Sequence, residues 1–76
     1  MNANAVEVLD SAIRLLNTRQ LFLHHQMKLL KSIIIKLLEY DDAERLKKLY
    51  ELWYNEINAL DLSAEQWNKL YDLMQK

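Results

Sequence analysis

The chain has 76 residues, a length that allows a single domain with one hydrophobic core. Hydrophobic residues make up 51% of it and the formal net charge is −1, which is typical of a globular chain and excludes a disordered one. It contains no cysteine, so disulfides and thiolate metal sites are excluded as well. Glycine and proline are also absent, which removes the main helix breakers and the residues of phosphate-binding loops. This composition favours helices joined by short turns.

A repeat of seven residues dominates the first half of the chain. Leucine recurs at every seventh position from Leu9 to Leu37, and a second apolar row runs between these leucines. Such spacing keeps one side of an α-helix apolar over five heptads. Asn17 and Thr18 have the weakest helix propensity, but the heptads continue in phase beyond them. We therefore predict one helix over residues 5–40, about 54 Å long at 1.5 Å per residue.

Two capping signals organise the second half of the chain. Asp41 stands three residues before Glu44, and Ser63 stands three residues before Gln66, which is the capping-box spacing. These signals predict two further helices, at residues 42–60 and 63–75. The predicted fold is all-α, a three-helix bundle in which one long helix is followed by two shorter helices that pack antiparallel.

The apolar surface of the long helix covers about half of its circumference, more than a two-stranded coiled coil requires. Two short helices can hardly cover it, and uncovered apolar surface of that extent favours self-association. We therefore predict a homodimer in which two copies share the long helix. The candidate self-association seam consists of Leu9, Ile13, Leu16, Gln20, Leu23, Met27, Leu30 and Ile34. A polar residue at a seam position, as Gln20 is, can fix register and oligomeric state.

The sequence offers no recognisable active site. His24 and His25 are adjacent, so on a helix their side chains diverge by about 100° and cannot share a metal ion. The serines have no acid–base arrangement that spacing reveals. We predict no catalytic residue, no metal site and no cofactor, and hence a protein that is not an enzyme.

Charge is distributed unevenly along the chain. Residues 11–38 contain five basic residues and no acidic one, whereas residues 41–76 carry a net charge of −3. A basic helix face of this kind can contact phosphates, and it can equally be a solvated surface. A few apolar residues also fall on the nominally polar faces of the helices. The candidate partner surface consists of Arg14, Lys28, Lys31, Lys36, Leu21, Ile35, Leu52 and Tyr54.

These features predict a small non-enzymatic interaction module, a regulator, adaptor or inhibitor that binds another macromolecule, most simply a protein, through helical surfaces. One alternative is a small nucleic-acid-associated regulator that uses the basic face of helix one. A second alternative is a designed helical bundle, because several local helix signals are idealised. No apolar run approaches the ~18 residues of a membrane span. We therefore expect a soluble cytoplasmic protein without a membrane partner.

Overall fold

The computed structural model describes residues 3–76. Helices are the only regular secondary structure in this part of the chain, without strands, so the all-α class is confirmed. The helices are α1 (Ala3–Asn17), α2 (Leu23–Glu39), α3 (Ala43–Leu52), α4 (Tyr54–Asn58) and α5 (Ala64–Met74). α2 is central, since it packs against each of the other four helices.

The prediction of one helix over residues 5–40 is wrong, because the chain reverses direction near its middle. α1 ends at Asn17, and residues 18–22 form a joint before α2. The start of α1 then lies beside Tyr40, at the far end of α2. A straight helix of about 54 Å would also exceed the longest dimension of the molecule, which is 31 Å. Folding back lets the apolar side of α1 meet that of α2 within one chain.

The predicted seam is largely an internal core. Of its members, Leu9, Leu16, Leu30 and Ile34 are buried within one chain, Ile13 and Met27 are half-buried, and Gln20 and Leu23 are exposed at the joint. Within one copy the buried members contact each other and the rest of the core. The buried seam residues therefore belong to the core of one copy, and a role for the seam between two copies stays a prediction.

The predicted helix over residues 42–60 bends at Trp53. Trp53 has φ −124° and ψ 33°, which separates α3 from α4. The backbone hydrogen bonds nevertheless pass through the bend, since Trp53 N–H donates to Leu49 and Ile57 N–H donates to Trp53. The bend accompanies a fully buried indole, whose N–H donates to Asn17 at the end of α1.

The two capping signals of the second half are both present, one of them shifted. Asp42 caps α3 by accepting from the Arg45 N–H at 3.1 Å, whereas the capping-box spacing predicted Asp41 in this role. α5 lies inside the predicted range of residues 63–75. Its capping box joins Ser63 and Gln66 through hydrogen bonds of 2.9 and 3.1 Å.

The surface area shows how far the fold covers its apolar residues. The chain exposes 5075 Å², and a compact monomer of 9.1 kDa is expected to expose about 4,900 Å². One chain thus exposes about as much surface as a compact monomer of its mass, and its buried apolar residues form one core cluster. Among the helices of residues 3–76, none combines the length and apolar character needed to cross a bilayer.

Candidate functional site

A groove of about 380 Å³ lies between α1 and α3. Its lining residues are Asp10, Ile13 and Asn17 from α1 and Glu44, Arg45, Lys48, Leu49 and Leu52 from α3. Within the described residues, no Cα atom of α1 lies within 8 Å of a Cα atom of α3. The two helices are therefore bridged by side chains across an open space, where Ile13, Leu49 and Leu52 contribute the apolar part of the lining.

The first bridge is an ion pair between Asp10 and Arg45. The guanidinium donates to both carboxylate oxygens of Asp10, at 2.7 and 3.0 Å, and its third bond reaches Asp42 at 3.0 Å. Hydrogen bonding to Arg45 lowers the pKa of Asp10, and the two carboxylates raise the pKa of Arg45. A bidentate arginine–carboxylate pair fixes geometry more strictly than a single charge contact. This pair therefore sets the separation of α1 and α3 on one side of the groove.

The second bridge joins the end of α1 to the bend between α3 and α4. The Trp53 indole N–H donates to the side-chain oxygen of Asn17 at 2.8 Å. The guanidinium of Arg19 lies over the Trp53 ring, 3.9 Å from its centroid, and donates to the carbonyl of Leu52 at 3.3 Å. An ion pair of 3.8 Å with Glu56 completes the contacts of Arg19. The groove is thus held at both ends.

Of the apolar residues in the candidate partner surface, two are well exposed. Leu52 is 60% exposed at the edge of the groove, and Tyr54 is 58% exposed on the other side of Trp53. Tyr54 packs edge-on against Tyr50, with ring centroids 5.2 Å apart. Leu21 and Ile35 are half-buried and offer less surface to a partner.

The basic members of the candidate surface do not form one stripe. Arg14 lies on α1 and the three lysines on α2, and the chain reverses direction between these helices. Lys31 pairs with Asp61 at 2.8 Å and Lys36 pairs with Glu39 at 3.2 Å. Lys28 is exposed. The basic face considered for phosphate contact assumed a continuous helix, and the break at residues 18–22 divides it between α1 and α2.

The groove itself was missed by sequence reasoning. Its bridges join residues that are 35 and 36 positions apart, Asp10 with Arg45 and Asn17 with Trp53. The low helix propensity of Asn17 and Thr18 was the available signal for the chain reversal that brings these pairs together.

The two histidines remain separate from this groove. Their rings stand 5.5 Å apart, tilted by 60°, and both side chains are exposed. In residues 3–76 no group of three or more His, Asp or Glu side chains is placed to hold a metal ion. Comparisons with family models, with curated proteins and with solved structures find no match to this chain.

Proposed function

We propose that the protein is a small non-enzymatic interaction module that binds another protein in the groove between α1 and α3. The observation that carries this proposal is the position of Leu52. This side chain is 60% exposed beside a groove that two side-chain bridges hold open. Exposed apolar surface next to a preformed concave site is typical of protein interaction sites.

The groove indicates the chemistry of its partner. Ile13, Leu49 and Leu52 fit an apolar side chain, while Glu44 and Lys48 at the rim pair with each other at 3.5 Å. Both rim side chains are largely exposed, so they can exchange this weak pair for charges on a partner. A helix or extended segment that presents one large apolar side chain between charged residues matches this arrangement.

A photo-reactive residue in place of Leu52 tests the proposal. It should capture a protein that the same residue at Asn68, exposed on α5, does not capture. With that protein purified, Leu52→Asp should weaken binding roughly tenfold or more, as loss of an important apolar contact in an interface does. Asn68→Asp should bind like the wild type. Equal affinity of wild type and Leu52→Asp would show that the groove is not the binding site.

The nucleic-acid alternative has less support, because Lys31 and Lys36 already pair with acids of the same chain. We expect no duplex binding beyond weak non-specific association at physiological salt. If three or four basic residues did contact phosphates, the slope of log affinity on log salt would be about −3 in B-DNA. A salt-sensitive submicromolar complex that Lys28→Ala weakens would support this alternative instead.

We further propose that the protein forms a homodimer at high concentration. The support is the exposed apolar pair Phe22 and Leu23, which are 80% and 70% exposed at the joint. The thermal midpoint should rise with protein concentration if dimerisation stabilises the fold. A midpoint that stays constant over a hundredfold dilution, with a monomer mass throughout, would contradict the homodimer.

A further inference from the structure

We infer that residues 18–22 are a hinge and that α1 exchanges between two copies, so that α1 and α2 join into one long helix in the dimer. The inference rests on the proposed homodimer and is independent of the groove as a binding site. In the exchanged dimer, α1 of each copy lies on the body of the other copy, where the body is residues 23–76. It makes there the contacts that it makes within the monomer.

The sequence of the hinge does not stop a helix. Residues 18–22 contain neither glycine nor proline, the residues that most often end helices. Leu16, Leu23 and Leu30 keep their spacing of seven across the joint. In a straight helix these three side chains would form one row, which in the monomer is broken at Leu23.

The start of α2 carries few of the signals of a helix beginning. In the described chain Phe22 stands at its N-cap position and makes no side-chain capping hydrogen bond there. His24 and His25 occupy the first turn, where acids and not bases favour the helix dipole. The starts of α3 and α5 are both capped by side chains. The first residues of α2 therefore resemble the interior of a longer helix more than a capped helix N-terminus.

The closed joint stores backbone strain at Arg19. Its φ is 56°, the left-handed region that non-glycine residues seldom occupy. Straightening the joint removes this strain and adds helical hydrogen bonds over residues 18–22. The contacts of Arg19 with Trp53, Leu52 and Glu56 oppose straightening, since they are lost when Arg19 moves into the helix.

Exchange preserves the contacts that hold α1. Among the described helices α1 has its close backbone approach with α2 alone, and it reaches the rest of the body through side chains such as Asp10 and Asn17. All of these can form with a second copy in the same geometry, which is why exchange of identical elements is a low-cost route to dimers. The dimer gains one new contact, where the two hinges pass each other at the two-fold axis. Phe22 and Leu23, exposed in the monomer, are covered there.

A matched pair of variants at Gln20 tests whether the hinge becomes helical in the dimer. This residue is exposed and lies outside the helices of the monomer. Alanine has a higher helix propensity than glycine. The equilibrium constant between closed joint and straight helix should therefore be roughly fivefold larger per chain with alanine. With two hinges per dimer, the dissociation constant of Gln20→Gly should exceed that of Gln20→Ala by roughly 30-fold. Equal dissociation constants would contradict a helical hinge.

Charge reversal at the Asp10–Arg45 bridge tests exchange itself. Asp10→Arg and Arg45→Asp each place like charges together within one chain. In an exchanged heterodimer of the two variants, Arg at position 10 meets Asp at position 45, and the native Asp10 meets the native Arg45. Both bridges are then restored. The equimolar mixture, annealed by unfolding and refolding, should give a 1:1 heterodimer in native mass spectrometry and a higher thermal midpoint than either variant.

The control is the double variant Asp10→Arg/Arg45→Asp, which restores the reversed bridge within each chain and should gain nothing from mixing with wild type. If wild type dimerises but the single variants show no rescue on mixing, exchange is wrong and the homodimer stands. If wild type stays monomeric and mixing rescues, exchange stands and the wild-type homodimer is wrong. A monomeric wild type without rescue overturns both.

Discussion

The joints after α1 and after α2, the two longest helices, are built differently. Both end a helix with a non-glycine residue in the left-handed region, Arg19 after α1 with φ 56° and Asp41 after α2 with φ 54°. After α2 the turn is completed by backbone bonds, since Asp41 N–H donates to Leu38 and Asp42 N–H donates to Leu37. This is the Schellman pattern, with Asp41 in the usual place of glycine. Asp42 then caps α3 at once.

The joint after α1 forms half of the same pattern. Arg19 N–H donates to Leu16 at 3.1 Å, as the pattern requires. The second bond is replaced by a hydroxyl, since Thr18 Oγ1 donates to the Leu15 carbonyl at 2.7 Å and accepts from Gln20 N–H at 3.3 Å. No cap follows within the described residues of this joint. The second joint therefore has a complete set of local bonds from two aspartates and the backbone, whereas the first has a partial set and adds distant contacts with Trp53.

The largest expected effect comes from removing those distant contacts. Trp53 is fully buried, so Trp53→Ala should lower the free energy of unfolding by about 3–5 kcal/mol. Tyr54→Ala, at an exposed neighbouring aromatic, should cost much less. Urea denaturation measures both. In native-state hydrogen exchange, Trp53→Ala should increase exchange at residues 18–23 more than at residues 40–43. Equal increases at both joints would contradict the claim that the first joint depends on Trp53 more than the second does.

The leucine row that crosses the first joint contains a buried member, Leu30, and an exposed one, Leu23. Leu30 is fully buried, and Leu30→Ala should cost about 2–5 kcal/mol. Leu23, at the preceding position of the same row, is 70% exposed, so Leu23→Ala should cost under about 0.5 kcal/mol in the monomer. Chemical denaturation at low protein concentration separates the two cases. A large loss for Leu23→Ala at high dilution would mean that the row is continuous in the monomer as well.

The all-α class and the start of α5 could be predicted from the sequence because their signals are local. Capping boxes and the hydrophobic period can be recognised within a few residues of sequence. Ser63 with Gln66 forms the capping box expected from its spacing. The first joint could not be predicted in this way. The heptads continue through it, and its support comes from Trp53, which is 36 positions from Asn17. The candidate groove depends on that joint, so it was missed for the same reason.

A loss of stability of intermediate size is expected when the polar side chains that complete the two joints are removed. Asp42→Ala removes the cap of α3 and one partner of Arg45, and it should cost about 1–2 kcal/mol. Thr18→Val keeps the shape of the side chain but loses the hydroxyl bridge, which should cost about 0.5–1 kcal/mol. Thermal unfolding measures both. Asp42→Asn retains a capping oxygen and should recover part of the loss, and failure to do so would assign the effect to Arg45 alone.

The smallest expected effect is the response of the two joints to acid. Residues 18–22 contain no acidic side chain, whereas Asp41 hydrogen-bonds Lys69 at 2.7 Å, which lowers the pKa of Asp41. Its folded-state pKa lies below the unfolded value of about 3.9, so the ionised carboxylate stabilises the fold at neutral pH. This contribution is lost as the pH falls from about 4 through the folded-state pKa.

Amide chemical shifts followed by NMR from pH 6 to pH 2 should therefore show a transition at residues 40–43 and a smaller one at residues 18–22. Asp41→Asn provides the matched control, because asparagine tolerates the same backbone conformation but does not titrate. In this variant the amides of residues 40–43 should lose the part of the transition that Asp41 causes. If the transition is unchanged, Asp41 is not its source, and the ion pair with Lys69 contributes nothing measurable to the second joint. If residues 18–22 respond as strongly as residues 40–43 in the wild type, the ion pair of Arg19 with Glu56 makes the first joint as sensitive to acid as the second. The two joints would then differ in their caps but not in their electrostatics.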